Sequence, residues 1–353
     1  MYRHGRGYEC RAGPPRGIPL DIPIVHVLLV KTSSLGDLIH TLPAVTDAVA
    51  ACPGLTFDWV AERPFVEIPA WHPAVRQVFA SDLRNWRHHP FARATREARA
   101  QFRAALQGTH HDFALDAQGL LKSAWIARQA GVPIAGPDWN SAREGLASRF
   151  YARRYPVPSR LTTHAIERLR RLFAQVFEYP LPVTAPDAGL DRGRFPVPGW
   201  PRPYVLLLHA TSWATKRWPD AHWMRLAQWL DEHGFDALLP WGGAAERETA
   251  ERIADDGHAH VLPRQSLTEL GGWLAHARAF VGVDTGLSHL GAALATPGVT
   301  LYGPTLPHLT GALGGYQIQL ADPIAQTVDR NRRMDISVAR ATDALERLLR
   351  DTP

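Results

Sequence analysis

Residues 27–43, VLLVKTSSLGDLIHTLP, open with four aliphatic residues, pass through a polar Ser-Ser-Leu-Gly-Asp turn and run straight into a helical pattern. A short continuous apolar run is what a strand buried on both faces requires, and such strands belong to parallel sheets covered by helices. The turn therefore lies at the carboxyl end of a strand, the edge at which open α/β folds bind ligands. It carries one carboxylate, Asp37, placed to act as a base there. Asp is also a favoured helix N-cap, and the segment alone leaves both roles open.

The same alternation continues outward. Strand-like runs at 25–31, 57–61, 75–79 and 112–116 are accompanied by helical patterns at 38–50, 91–107 and 164–177. A Pro- and Gly-rich stretch without apolar period, 180–203, reads as a linker. The pattern then restarts, with strands at 204–209, 235–240, 259–262, 280–283 and 299–302 and helices at 220–232, 244–255, 267–277 and 286–294. A last helix over 337–350 closes the chain, with packing back on the first half as one option for it. The expectation is an α/β protein of two Rossmann-like domains, 24–179 and 204–353, facing each other across a cleft to which both contribute. No G-x-G-x-x-G follows a strand and no G-x-x-x-x-G-K-[ST] occurs, which removes support for a dinucleotide oxidoreductase or a P-loop nucleotidase.

Composition agrees with a globular two-domain chain: 353 residues, 45% hydrophobic and 21% charged. A net charge of +5 favours anionic partners without choosing among them. Two distant cysteines, Cys10 and Cys52, form no disulfide framework or metal knuckle and point to a reducing compartment. No apolar run approaches the length that crosses a bilayer. Residues 1–23, with charge, Gly and Pro but no apolar core of signal-peptide length, read as a disordered extension.

Three strand ends in the second half suit an anionic leaving group. The first is His209-Ala210-Thr211-Ser212 followed by Lys216, two hydroxyls and an ammonium that fit phosphate and fit an ordinary solvated loop as well. The second is Pro240-Trp241-Gly242-Gly243 with Glu246 and Glu248, where a carboxylate suits ribose hydroxyls or simply offsets a helix dipole. Position does not say which glutamate faces a ligand. The third is Asp284-Thr285-Gly286-Leu287-Ser288-His289, a turn into a helix whose first N–H groups form an anion site; His289 fits a ligand contact or a satisfied core histidine. There is no Asp-x-Asp pair, and the pairs His88-His89, His110-His111 and His258-x-His260 lack carboxylate or Cys company in sequence. No metal is expected.

Taken together, KTSSLGDLIHTLPAVTDA (31–48), DAQGLLKSA (116–124), DWNSAREGLAS (138–148), HAIER (164–168), HATS with KRWP (209–219), PWGG (240–243) and VDTGLSHLGAAL (283–294) resemble glycosyltransferase family 9, the lipopolysaccharide heptosyltransferases. The resemblance runs from about residue 25 to the end, with independent motifs in the family order. It implies a GT-B fold, with acceptor bound mainly by the first domain and nucleotide sugar by the second. It also implies metal-independent, cofactor-free transfer of L-glycero-D-manno-heptose from ADP-heptose to the inner Kdo of Kdo2-lipid A, with inversion and an α1→5 linkage. By matched positions Asp37 is the base; Lys216 with Thr211 and Ser212 steadies the departing diphosphate; and Thr285, Gly286 and Leu287 supply backbone donors. Asp284, His289, Glu246, Trp241 and Gly242 complete the donor site.

The implied acceptor is polyanionic, and the matched acceptor positions are Ser34, Gly36, Arg84, Arg87, Gln118, Lys122, Arg143 and Arg168. Arg93, Arg96, Arg99 and Arg103 line one helical segment and read equally as a solvated basic face. Two positions depart from the family pattern: His88 stands where a lysine is expected, and Ser212 replaces a threonine. The expectation is a monomer attached peripherally to the anionic cytoplasmic face of the inner membrane through basic residues and aromatics near 86–91 (WRHHPF). A family member that extends core heptose and a non-catalytic nucleotide-sugar binder are the alternatives. Arginines and aromatics form no nucleic-acid motif.

Overall fold

The computed structural model describes residues 25–321 and 334–352; the extension expected at 1–23, with Cys10, lies outside them. In chain order the first half runs β1 (His26–Val30), α1 (Leu35–Ile39), α2 (Leu42–Ala51), β2 (Thr56–Glu62), α3 (Glu67–Ala70), β3 (Val75–Ser81), α4 (Leu83–His88), α5 (Arg93–Gln107), β4 (Phe113–Asp116), α6 (Leu121–Gln129), β5 (Ile134–Pro137), β6 (Arg153–Tyr155) and α7 (Ala165–Val176). The second half runs β7 (Tyr204–Leu208), α8 (Asp220–Glu232), β8 (Asp236–Leu239), α9 (Ala244–Ile253), β9 (Ala259–Val261), α10 (Leu267–His276), β10 (Ala279–Val283), α11 (Gly286–Ala293), β11 (Gly298–Tyr302), α12 (Pro307–Thr310), β12 (Gln317–Ala321) and α13 (Val338–Asp351).

The chain divides into two compact units. Of the described residues, one holds those up to Ser33, Thr41–Arg160 and Ile166–Thr184; the other holds Ser34–His40, Leu161–Ala165 and the described residues from Ala185 on. Each is built on a six-stranded parallel sheet, ordered β3-β2-β1-β4-β5-β6 in the first and β9-β8-β7-β10-β11-β12 in the second. Both are the doubly wound order in which strand succession reverses, between β1 and β4 and between β7 and β10. Every residue of β1, β7, β10 and β11 is buried, which is why those runs read as unbroken apolar sequence.

Differences from the expected elements have local causes. The helical stretch 38–50 is two helices, because Pro43 cannot donate to the Ile39 carbonyl and instead sits in the first turn of α2, where its missing N–H is harmless. β5 and β6 have four and three residues, with a Gly-Pro end and two arginines, too little apolar sequence to announce a strand. The expected linker 180–203 is docked: Phe195 is buried, and a Cβ at Gly271 of α10 would collide with its ring. The last helix, expected to be able to pack back on the first half, seats Ala341, Ala344, Leu345 and Leu348 in the core of the second unit against α8 and β10 to β12. Ser34–His40, which is α1 with one residue on each side, expected in the N-terminal domain, likewise belongs to the second unit.

Buried charges in the first unit are compensated. Arg170 on α7 forks onto Asp47 of α2 (2.6 and 3.3 Å) and also donates to the carbonyls of Thr184 and Pro182, tying the helix layer to the chain that leaves it. Near the amino ends of β1, β2 and β4, buried Asp58 accepts from His111 Nε2 (2.9 Å) and lies 3.1 Å from His26 Nε2. Burial pushes the Asp58 carboxyl up, but His111 and His26 outweigh it and hold it below the usual carboxylate range. A carboxyl lowered on folding adds stability above its unfolded value and forfeits it as pH falls. The melting temperature of the wild type is therefore expected to drop on acidification through the carboxylate range more steeply than that of Asp58→Asn; parallel curves would contradict this.

Candidate active site

In the second unit the switch point lies between the carboxyl ends of β7 and β10. β10 ends on Asp284, which is 6% exposed and accepts hydrogen bonds on Oδ2 from Lys216 Nζ (2.6 Å) and Thr305 Oγ1 (2.7 Å). His289 Nε2 lies 3.4 Å from the other oxygen. Burial alone would raise the Asp284 carboxyl, but the His289 contact and the Lys216 ammonium prevail and hold it well below the usual carboxylate range. Lys216, presented by a short turn after β7, is backed by the Trp213 ring at 4.7 Å. Trp218, two residues on, is buried and donates to the Ile336 carbonyl, which anchors that turn in the core.

α11 starts beside this pair. Thr285 is its N-cap and makes no side-chain cap, so the N–H groups of Gly286 and Leu287 open the helix without intrahelical partners. Thr285, Gly286 and Leu287 are half-buried; Thr211 is half-buried and Ser212 exposed. The structure thus gathers Lys216, Asp284, His289 and the α11 start at one place.

α1 packs against α11. The approach requires glycine on both helices, since a Cβ at Gly286 would meet Leu35 at 2.6 Å and one at Gly36 would meet His289 at 2.8 Å. His40, which caps the end of α1, has Nε2 3.2 Å from His289 Nδ1. One of these two ring nitrogens donates and the other accepts. His289 is therefore both buried and engaged. Asp37 is not the N-cap of α1: Ser34 is. Asp37 stands three positions in, and its Oδ2 accepts from the Ser34 N–H (2.9 Å) and hydroxyl (3.2 Å), closing a capping box that orients the carboxylate.

At the other strand ends of this unit, Glu246 is half-buried and accepts from the Gly242 N–H (2.7 Å), whereas Glu248 is exposed. Trp241 donates to the Leu262 carbonyl and carries Arg247 on its ring. His209 reaches the Glu246 carbonyl at 3.1 Å, tying β7 to the first turn of α9, and burial pushes its imidazole below the ordinary value.

In the first unit the switch point lies between β1 and β4. Asp116, fully buried, accepts from the Gln118 and Gly119 N–H groups, Ser123 Oγ and Tyr151 Oη, all within 3.1 Å. Burial pushes its carboxyl up despite these donors. Gly119 turns this loop at φ +68, a conformation that favours glycine. Gln118 spends its carbonyl oxygen on the Thr32 N–H and hydroxyl, and Lys122 reaches Ser33 Oγ at 3.5 Å. Arg84, Arg87 and Arg143 are exposed. Arg168 is half-buried and donates to the Pro158 and Ser141 carbonyls; burial, then Arg160 and Arg143, push its guanidinium down, the mark of cations gathered without a carboxylate.

Sequence reasoning passed over Thr305, Trp213, His40 and Arg160. Thr305 follows the next strand, β11, and could have been found as a fourth polar strand end; His40 carries no local signal. Among the described residues one group has metal-type donors within reach of one another, His26, Asp58 and His111. His111 does have carboxylate company, brought from another strand, at the sheet edge away from the switch point.

The profile of glycosyltransferase family 9 (heptosyltransferase) matches residues 99–336. Lipopolysaccharide heptosyltransferase 1 of Pseudomonas aeruginosa is 52% identical over 84% of this chain and 83% of its own length. The structure of E. coli heptosyltransferase WaaC with ADP superposes with a TM-score of 0.85 at 41% identity, covering 92% of this chain and all of that one. The same enzyme with ADP-2-deoxy-2-fluoro heptose gives 0.82 at 41%, over 92% of this chain and 99% of that one. The α/β GT-B architecture is shared, and the chain belongs to glycosyltransferase family 9, the heptosyltransferases.

Proposed function

We propose that this chain transfers L-glycero-D-manno-heptose from ADP-heptose to the inner Kdo of Kdo2-lipid A, with inversion, at the anionic cytoplasmic surface of the inner membrane. The observation that carries the reading is the buried Lys216–Asp284 pair beside the opening N–H groups of α11, in the same compact unit as Asp37. Asp37 takes the proton of the attacking acceptor hydroxyl. The hydroxyl oxygen bonds the anomeric carbon on the face opposite the diphosphate, and the bond to the diphosphate oxygen breaks with its electron pair. Charge growing on that oxygen is met by the Lys216 ammonium and the α11 donors, held in advance of the reaction. Asp284 is the group that holds Lys216. Glu246, oriented by Gly242, grips the ribose, and Trp241 lies by the adenine. Arg84, Arg87, Arg143 and Arg168 with Lys122 hold the acceptor carboxylates and phosphates, for which guanidinium forks are suited.

Product analysis with ADP-heptose and Kdo2-lipid A is the direct test. One heptose on Kdo is expected; no reaction there, with extension of an already heptosylated core instead, would reassign the acceptor. Asp37→Asn keeps a carbonyl oxygen for the Ser34 N–H and so spares α1, while removing the base. Turnover should fall by about 10²–10⁴-fold with ADP-heptose affinity nearly unchanged, and retained turnover would remove Asp37 from that role. Lys216→Ala is expected to lower kcat by about 10²–10³-fold and Asp284→Asn to raise the donor KM as well, both read from steady-state kinetics.

A further inference from the structure

The first unit exposes large apolar side chains that its core does not use: Phe91 (89% exposed), Trp125, Trp139 (50%), Leu146 and Phe150. Contacts link Trp125, Trp139 and Phe150 into one surface, and Phe91 stands on the segment between α4 and α5. Arg99 of α5 lies over the rings of Trp86 (5.9 Å) and Trp125 (5.6 Å). Trp125 and Arg128, three apart on α6, share a helix face, and Arg128 lies over Phe150 at 5.4 Å. Next to Phe150, Arg149 lies over Trp139 at 5.5 Å, and Trp139 in turn covers Gly145. Trp86, expected from the sequence to be an exposed membrane contact, is only 4% exposed; it forms the floor on which Arg99 rests.

We propose that this surface, Phe91, Trp125, Trp139, Leu146 and Phe150 interleaved with stacked arginines, docks the enzyme on an anionic phospholipid bilayer. The inference rests on the reading above that the acceptor is a lipid, and it names the part of the chain that meets the lipid phase. Two features select a bilayer as occupant. Residues 83–107, which border the patch, contain six arginines and one glutamate, a charge complementary to acidic headgroups. Trp125, Trp139 and Phe150 are each paired with an arginine, so that rings can enter the interfacial layer while guanidinium groups stay at phosphate level. A contiguous apolar patch of this kind is uncommon on a surface that meets only water. No helix among the described residues is long and apolar enough to cross a membrane, so the docking proposed is interfacial.

The test uses the full chain and sedimentation with phosphatidylethanolamine vesicles, with and without phosphatidylglycerol. The wild type is expected to bind the anionic vesicles, and the double variant Trp139→Ser/Phe150→Ser to bind them about tenfold less tightly. Its melting temperature and its turnover of a deacylated, water-soluble acceptor should match the wild type, while turnover of acceptor embedded in vesicles falls. Phe91→Ser alone, at the most exposed position, gives a second measurement should the double variant fold poorly, and a smaller loss in the same direction is expected. Vesicle binding by the variants equal to the wild type, or no binding by the wild type, overturns the proposal. So does concentration-dependent self-association in the ultracentrifuge that the substitutions abolish, which would make the patch a protein interface. Failure of the wild type on the soluble acceptor would instead count against the functional reading and leave vesicle binding to be judged separately.

Discussion

Asp284 is a carboxylate taken almost wholly out of water, and such a charge is tolerated only where partners replace the water it has lost. Its partners define the working end of the second unit. Lys216 supplies the countercharge, Thr305 a neutral donor, and His289 a contact that passes on to His40 of α1. The Lys216 ammonium, the start of α11 and the helix bearing Asp37 are thus joined through one buried group. A protein site of this sort needs little reorganisation when charge develops, because the dipoles are already fixed by the demands of burial.

Where a segment's structure follows from its own residues, the sequence was readable. The apolar runs of β1, β7, β10 and β11 stand out because both faces of those strands are covered, and the three polar strand ends of the second half were all found at carboxyl edges as expected. Segments whose form is imposed by neighbours were not readable: β6 is Arg-Arg-Tyr, and nothing within it demands a strand until Gly136 and Pro137 of β5 lie alongside. The site shows the same division. Asp37 in the first turn of a helix and Lys216 and Asp284 just after strands sit where chemistry can single them out, but His40 enters through a contact with a residue 249 positions away. The choice between capping and catalysis at Asp37 was likewise undecidable locally, since the capping box uses one carboxylate oxygen and thereby aims the group.

The arginines of the first unit divide by what they touch. Arg170 is spent on carbonyls and on Asp47, Arg168 gives two of its nitrogens to carbonyls, Arg103 donates to Gln129, and Arg99 is stacked between indoles. Arg84, Arg87 and Arg143 stand exposed. Sequence counts treat these as one basic population, whereas the fold uses some as struts and leaves others exposed. Asp116 plays the corresponding part for the loop that bears Gln118 and Lys122, where four donors fix a turn too short to hold itself.

The membership of α1 in the second unit also bears on how the chain assembles. A growing polypeptide completes this helix long before α11 exists, so its seat, where Leu35 meets Gly286 and Gly36 meets His289, must wait for almost the whole chain to emerge. Closing so long a loop is entropically costly, but the cost grows only slowly with length; the delay acts mainly on rate. Until then α1 lacks its neighbour α11, and the second sheet can form without the helix that packs at its carboxyl end. Catalytic competence is therefore expected to be the last property acquired during synthesis, arriving with the docking of a segment that was among the first to be made.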